Sequence, residues 1–178
     1  FNNNPISYKY GTFNCFIFPL QEVKKMKNNI MNFNYLINNH VSLQDCFIYN
    51  QNSEHFTGKN RNYCNICKQL YDSIYTSKIY ISPNVLILIL NRGKDNIYDV
   101  KLDFTETIDI SPFVSQKEMI QIIYNLYGVI SHIGQSGPNA DYIAACKSPV
   151  DNNWYRYNDA IVSIEDRKSG SAGMPRPI

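Results

Sequence analysis

The 178-residue sequence has almost no net charge and no long apolar run. Its 17 basic and 15 acidic residues leave a formal net charge of +2, so the electrostatic attraction to nucleic acid is weak. The apolar stretch Asn84–Leu90 is far shorter than the roughly 18 residues that a membrane-spanning helix requires. Hydrophobic residues still make up 44% of the chain, enough for a folded core. We therefore expect a folded domain with neither a nucleic-acid nor a membrane partner.

Cysteine is present in an odd number, and no secretory signal accompanies it. The five residues are Cys15, Cys46, Cys64, Cys67 and Cys146. This pattern favours reduced thiols in an intracellular protein, cytoplasmic or nuclear. Cys15, Cys46 and Cys146 lie in apolar segments and are predicted to be core residues.

Cys64 and Cys67 have the spacing of metal ligands, because thiolates two residues apart can turn back onto one zinc ion. A structural zinc site needs four ligands, and the sequence contains no second pair of this kind. The residues alone leave two readings open, half of a zinc site or an exposed structural turn. A redox pair is less favoured, because no βαβ pattern surrounds it.

The apolar pattern predicts an α+β domain of mostly antiparallel strands with few short helices. Ser42 and Asp45 form the pattern of a capping box and predict a short helix. Residues 21–41 fit either a helix or an irregular insert, 111–124 are left unassigned, and 167–178 resemble a loop. Strands are predicted in TFNCFIFPL, QLYDSIYTSKIYI, NVLILIL, VKLDF, YNLYGVISHIG, DYIAACK, NWYRYND and AIVSI. NVLILIL is predicted to be buried and to meet the preceding strand near Ser82-Pro83.

Several polar residues that could serve catalysis lie within residues 124–159, a segment that is predicted to contain a hairpin. His132 precedes a glycine-rich loop and is expected to face Asp141 across the hairpin. A lone histidine is more often structural than catalytic. Asn158 and Asp159 end the next strand, where they fit either the orienting group of a Cys-His-Asn site or an ordinary turn.

Ordered motifs along most of the chain resemble those of a known family. They are FNCFIFPL, VSLQDCF, FTGKNRNYCNICK, ISPNVLILILNR, LDF, DISPFV and the segment from Tyr124 to Ser163. From about Tyr8 to Ile164 the sequence resembles the C-terminal half of a ubiquitin-specific protease domain. The resemblance implies a right-hand-shaped fold with a papain-like core, of which residues 1–178 form the palm and part of the fingers. It also implies ubiquitin or a ubiquitinated protein as partner, and hydrolysis of the isopeptide bond after ubiquitin's C-terminal glycine.

The resemblance implies roles for several residues of the last hairpins. Asn158 matches the residue that orients the catalytic histidine, and Asp159 the polar residue after it. His132 matches a residue along the groove for ubiquitin's tail, which Tyr142 also lines. Gly134 and Gly137 belong to a loop that closes over this tail.

The resemblance also implies a metal site. Cys64 and Cys67 match the second cysteine pair of the zinc ribbon in the fingers. The first pair lies upstream in the family, so we expect zinc only where that pair is supplied.

The sequence departs from the family at its reaction centre. Asp141 stands where the family has its catalytic histidine, directly before Tyr142. Neither the nucleophilic cysteine segment nor the closing aromatic strand occurs, and the chain starts at Phe1, so we expect an excerpt of one domain. We expect no thiol-dependent hydrolysis, because a carboxylate is a weak base and cannot stabilise a thiolate.

Three alternatives remain beside an inactive excerpt. The first is a ubiquitin-binding pseudoenzyme of the same fold. The second is an enzyme in which His132 replaces the missing base. The third is an unrelated zinc-stabilised β scaffold, which would require the ordered motifs to be coincidental.

Overall fold

The computed structural model describes residues 7–31, 39–93, 100–115, 121–133 and 141–165. Two α-helices and fourteen short strands follow one another within these ranges. In chain order they are β1 (Phe16–Pro19), α1 (Leu20–Met31), β2 (His40–Ser42), α2 (Leu43–Asn50), β3 (Glu54–Phe56), β4 (Asn62–Cys64), β5 (Gln69–Tyr71), β6 (Ser73–Tyr75), β7 (Leu88–Asn91), β8 (Lys101–Asp103), β9 (Thr107–Asp109), β10 (Ile123–Asn125), β11 (Gly128–Ile133), β12 (Asp141–Lys147), β13 (Trp154–Asn158) and β14 (Ile161–Ile164).

The main core lies between the two helices and strands β1, β2, β8 and β9. Helix α1 begins directly after Pro19 and buries Leu20 and Val23, which lie three residues apart on one face. Phe47 of α2 is fully buried, with its ring 5.2 Å from those of Phe18 and Phe113 between centroids. Helix α1 confirms the helix interpretation for residues 21–31, whereas residues 32–38 lie outside the described residues.

Helix α2 begins at the predicted capping box. The Ser42 hydroxyl accepts a hydrogen bond from the Asp45 amide (3.1 Å), and the Asp45 carboxylate accepts one from the Ser42 amide (2.8 Å). Lys27 of α1 also donates to the Asp45 carboxylate at 2.7 Å and to the backbone oxygen of His40 at 3.2 Å. One carboxylate therefore caps α2 and ties α1 to it.

Two strand pairs are parallel, which the sequence did not predict. Strand β1 pairs with β7 and β2 with β8, whereas the other six pairings among the described residues are antiparallel. The prediction of a buried strand in NVLILIL was wrong in part. Strand β7 covers only its second half, Leu88 and Leu90 pack against the core, and Ile87 and Ile89 are exposed.

The strands predicted in QLYDSIYTSKIYI are shorter than expected. Strands β5 and β6 take up only two segments of three residues each, and Ile79 forms a single parallel bridge with Val114. No continuous strand reaches Ser82-Pro83 in this described part of the chain. The unassigned segment contains a short 3-10 helix at Ser111–Phe113 and strand β10.

Residues 54–75 form a long hairpin whose side chains are mostly exposed. Strand β3 pairs with β6 at its base, and β4 pairs with β5 near its tip. The Arg61 guanidinium donates to the Asp72 carboxylate at 2.6 Å, and the Asn62 amide donates to the Ser73 hydroxyl at 2.8 Å. These side-chain bonds connect the two ladders into one arm.

Strands β11 to β14 form a four-stranded antiparallel sheet in chain order, which contains the predicted hairpin and the two strands predicted after it. Trp154, Ile143 and Ala145 are buried on one of its faces. The prediction for the lone cysteines holds only for Cys46, which is buried, since Cys146 is exposed and Cys15 half-buried. Among the described residues, no helix is long and apolar enough to cross a membrane.

Candidate functional site

The candidate site lies where β12 begins and β13 ends. Ala144 pairs with Tyr157, and side chains alternate between the two faces of a sheet. Asn158, one position beyond Tyr157, therefore shares its face with Ile143 and with Asp141. Asp141 and Asn158 are both half-buried on adjacent strands. The fold thus brings these two predicted site residues to one corner of one face.

The carboxylate of Asp141 is turned back onto its own strand. Its Oδ1 accepts a hydrogen bond from the backbone amide of Tyr142 at 2.8 Å. Arg156, two residues before Asn158, brings an exposed cation to the same face. The sequence analysis did not single out Arg156, although its spacing of two residues from both Trp154 and Asn158 predicts that the three side chains share one face of the strand.

His132 does not face Asp141, contrary to the sequence-based expectation. In the hairpin register His132 lies opposite Tyr142, and Asp141 lies opposite Ile133. A shift of one residue sends a side chain to the other face of a sheet. The backbone of the sheet therefore separates the imidazole from the Asp141 carboxylate.

His132 instead contacts Tyr142. Their ring centroids are 5.0 Å apart and their planes meet at 62°, an edge-to-face arrangement that aromatic pairs favour. His132 is half-buried, whereas Tyr142 is 65% exposed. The two predicted substrate-binding residues thus form one aromatic pair, while Gly134 and Gly137 lie outside the described residues.

Asp159 occupies the tight turn between β13 and β14. Asn158 pairs with Ile161, so only Asp159 and Ala160 connect the two strands. Asp159 has φ +48°, in the left-handed region that aspartate tolerates better than most residues. This geometry favours the turn interpretation of Asp159 over a direct chemical role.

Cys64 and Cys67 lie at the tip of the long hairpin. The backbone amides of Cys67 and Ile66 donate to the Cys64 sulfur, and these bonds lower the pKa of its thiol. Hydrogen bonding to Cys64 raises the pKa of Cys67. The pair thus favours one thiolate and fits two ligands of a tetrahedral site, although no group of three or more potential ligands occurs within the described ranges.

Comparison with known proteins decides the family. The sequence profile described as "Ubiquitin carboxyl-terminal hydrolase" matches residues 14–174. The chain belongs to the ubiquitin carboxyl-terminal hydrolase family. This agrees with the ubiquitin-specific protease resemblance and makes an unrelated β scaffold untenable.

Relatives in this family are much longer than the matched segment. Ubiquitin carboxyl-terminal hydrolase 48 of Gallus gallus is 28% identical over 149 residues, which are 80% of this chain and 14% of that protein. Ubiquitin carboxyl-terminal hydrolase 17-like protein 6 of Homo sapiens is 32% identical over 113 residues, 62% of this chain and 28% of that protein. The chain therefore spans under a third of these relatives.

A solved structure supports the fold assignment. A chain in the SAGA Ubp8/Sgf11/Sus1/Sgf73 DUB module matches with a TM-score of 0.57 and 24% identity, over 72% of this chain and 31% of the solved one. At this identity the match establishes the fold alone. The α+β class of a ubiquitin carboxyl-terminal hydrolase is thereby confirmed.

Proposed function

We propose that this chain is the palm and part of the fingers of a ubiquitin-specific protease domain that holds ubiquitin without cleaving it. The observation that supports this proposal is Asp141, which shares a sheet face with Asn158 on the adjacent strand. By the family resemblance these are the positions of the catalytic histidine and of the residue that orients it.

An aspartate at this position removes the base of thiol catalysis. In a Cys-His-Asn site, the histidine takes the proton of the cysteine and its positive charge stabilises the thiolate. A carboxylate is a weaker base, and its negative charge disfavours a neighbouring thiolate. Removing the base from such a group of residues typically lowers the rate by about 10⁴-fold or more.

The same substitution is compatible with binding. By the resemblance, ubiquitin's tail lies extended in the groove beside Asp141 and carries arginines close to its terminal glycines. A carboxylate attracts these guanidinium groups, so Asp141 strengthens tail binding while disabling hydrolysis. For a partly exposed pair the expected contribution is on the order of 1 kcal/mol.

Zinc belongs to this proposal as a structural ion. Cys64 and Cys67 would hold it with two further ligands, and the amide bonds to the Cys64 sulfur favour the thiolate that a metal requires. When bound, zinc would stiffen the tip of the fingers by linking this hairpin to a second one.

Hydrolysis assays on the full-length protein test the catalytic part. We expect no release of fluorophore from a ubiquitin C-terminal amide above the rate of Asp141→Asn, which removes the charge but supplies no base. Asp141→His is the informative variant, because it restores the base where a nucleophile is available. Turnover by the wild type equal to that of an active Asp141→His variant would refute the proposal.

Calorimetric titration with ubiquitin tests the binding part. We expect the folded, zinc-loaded protein to bind ubiquitin and Asp141→Asn to bind it about fivefold more weakly, as a loss near 1 kcal/mol implies. Asp159→Asn is the matched control, since its side chain lies in the β13–β14 turn. No detectable binding by the wild type would end the proposal.

A further inference from the structure

We propose that strand β14 (Ile161–Ile164) is a docking edge, to which an extended segment of a partner protein adds as a fifth strand of the sheet. The segment that fits this edge alternates apolar and polar side chains and carries lysine or arginine opposite Glu165. The inference goes beyond the proposed function, because it requires neither ubiquitin nor the corner of Asp141 and Asn158.

Strand β14 is an open edge of the four-stranded sheet. It pairs with β13 on one side, and no strand of the described ranges pairs with its other side. All four of its residues are exposed, including the apolar side chains of Ile161, Val162 and Ile164. Natural edge strands avoid pairing with other chains through lysine, proline or a bulge, and β14 has none of these. Its outer edge can therefore accept another strand.

The register with β13 identifies the backbone groups that point outward. The Glu165 amide donates to the Trp154 carbonyl at 2.9 Å, so these two opposite residues form a hydrogen-bonded pair. Hydrogen-bonded and non-hydrogen-bonded pairs alternate along an antiparallel ladder. Val162 and Ile164 therefore occupy non-hydrogen-bonded pairs and direct their amides and carbonyls away from β13. These four backbone groups are the ones that an added strand would bind.

The side chains of β14 define the apolar part of the partner segment. Val162 and Ile164 lie on one face of the strand, opposite Tyr157 and Tyr155 of β13 respectively. Apolar side chains at the matching positions of an added strand would pack against Val162 and Ile164, since opposite residues have Cβ atoms about 4.5–5.5 Å apart. The partner segment therefore needs apolar residues at two alternate positions.

Glu165, directly after β14, defines the charged part of the partner segment. Its side chain is half-buried, and its Oε2 atom is buried without a hydrogen-bond partner among the described residues. Trp154 lies opposite Glu165 in the ladder, yet its buried indole nitrogen also lacks a partner there. A buried carboxylate oxygen without a donor is destabilising, and a cation on an added strand would remove this cost. The position opposite Glu165 therefore suits lysine or arginine.

A second copy of this chain does not supply that cation. In an antiparallel pair of β14 strands, Val162 of one copy would bond to Ile164 of the other. Glu165 would then lie opposite Ile161 of the other copy, where it gains an apolar neighbour. A foreign segment with a basic residue at its N-terminal end satisfies both the backbone and the charge, and it adds in the antiparallel orientation of the whole sheet.

A synthetic peptide and the full-length protein test the docking edge. The fluorescein-labelled peptide Lys-Val-Thr-Val-Thr places its lysine opposite Glu165 and its two valines opposite Ile164 and Val162. We expect saturable binding in fluorescence anisotropy, with a Kd at or below about 1 mM. Glu165→Gln should weaken it about fivefold, as expected for a partly exposed ion pair. Glu22→Gln on helix α1 is the matched control, since it removes the same charge away from the sheet.

Methylation of single peptide amides separates strand addition from nonspecific apolar contact. A methyl group on the amide of the valine opposite Val162 blocks a bond to β14, so binding should be lost. The amide of the central threonine, opposite Ser163, points away from β14, so its methylation should change binding by less than about twofold.

The two methylated peptides and the Glu165 variant decide the inference together. Loss of binding with only the first methylated peptide, combined with weaker binding by Glu165→Gln, would support it. Equal effects of both methyl groups, unchanged binding by Glu165→Gln, or no saturable binding of the unmethylated peptide would overturn it.

Sedimentation of the protein without peptide tests the second copy as occupant. Val162→Pro removes an outward amide and leaves the bonds to β13 in place, as proline does on edge strands. A concentration-dependent dimer that this substitution abolishes would assign the edge to a second copy and overturn the partner segment. A monomer that binds the peptide, and loses it in Val162→Pro, would support the proposal.

Discussion

The negative charge of Asp45 stabilises the contact between helices α1 and α2, and Asp45→Asn removes this charge with almost no change in side-chain size. Asp45→Asn keeps an oxygen that can accept from the Ser42 amide, but it leaves the Lys27 ammonium without a negative partner at 2.7 Å. Both side chains are largely buried, with 16% and 19% exposure for Lys27 and Asp45. Hydrogen bonds to charged groups contribute about 1.5–3 kcal/mol, and we expect a loss of that size.

Asp45→Ala should cost more, because it also removes the acceptor for the Ser42 amide. Losing a capping interaction costs about 0.5–2 kcal/mol, so the total loss should reach about 2–5 kcal/mol. The matched control is Glu22→Gln, whose 2.8 Å ion pair with Lys25 is exposed. Exposed pairs of this kind contribute about 0.2–1 kcal/mol.

The dependence of this loss on pH is fixed by the direction of the pKa shift. Burial raises the pKa of Asp45, but hydrogen bonds from Lys27 and Ser42 and the charge of Lys27 outweigh burial and lower it. A lowered pKa stabilises the fold above the unfolded-state value of about 3.9, and this contribution disappears as the pH falls through the folded-state value.

Urea unfolding followed by far-ultraviolet circular dichroism, at pH 7 and at pH 3 and below, measures both effects. The difference in unfolding free energy between the wild type and Asp45→Asn should be largest at pH 7 and should narrow in acid. An Asn variant as stable as the wild type at pH 7, or a difference that grows in acid, would refute the role of this carboxylate.

Three further predictions concern other parts of the molecule. Phe47→Ala should lower the unfolding free energy by about 3–5 kcal/mol in the same urea assay, because its ring is fully buried among other aromatic rings. Burial raises the pKa of Cys46 to about 12, so mass spectrometry after alkylation at pH 8 should find Cys146 modified and Cys46 intact. The 178-residue chain should retain less than one equivalent of zinc after dialysis, and full occupancy by zinc would contradict the four-ligand argument. In a longer protein that supplies a second cysteine pair, Cys64→Ser should lower both the zinc content and the thermal stability.

Features encoded by neighbouring residues could be predicted from the sequence. The capping box of Ser42 and Asp45 identified helix α2, because both partners lie within one turn. The β11–β12 hairpin and the two strands after it followed from alternating side chains and short turns. In each case the structure depends on contacts between residues close in the chain.

Features that depend on distant partners could not be predicted. Phe16 pairs with Leu88 in a parallel register, and the sequence of neither segment indicates which strand it pairs with. The run of alternating leucines and isoleucines in β7 gave no sign that one face would stay exposed. The face occupied by His132 depends on a register offset of one residue, which the length of a loop does not reveal.

The alternation of Asp141 and Tyr142 along β12 has an evolutionary consequence. Under the proposed function Asp141 stands at the position of the catalytic histidine, and because neighbouring residues of a strand face opposite sides, this corner and the His132–Tyr142 pair can accumulate mutations independently. A single base change in a histidine codon yields aspartate, so one mutation can end catalysis without disturbing the surface that Tyr142 presents. On this proposal, such a protein passes from enzyme to binding protein in one step, while it keeps its fold.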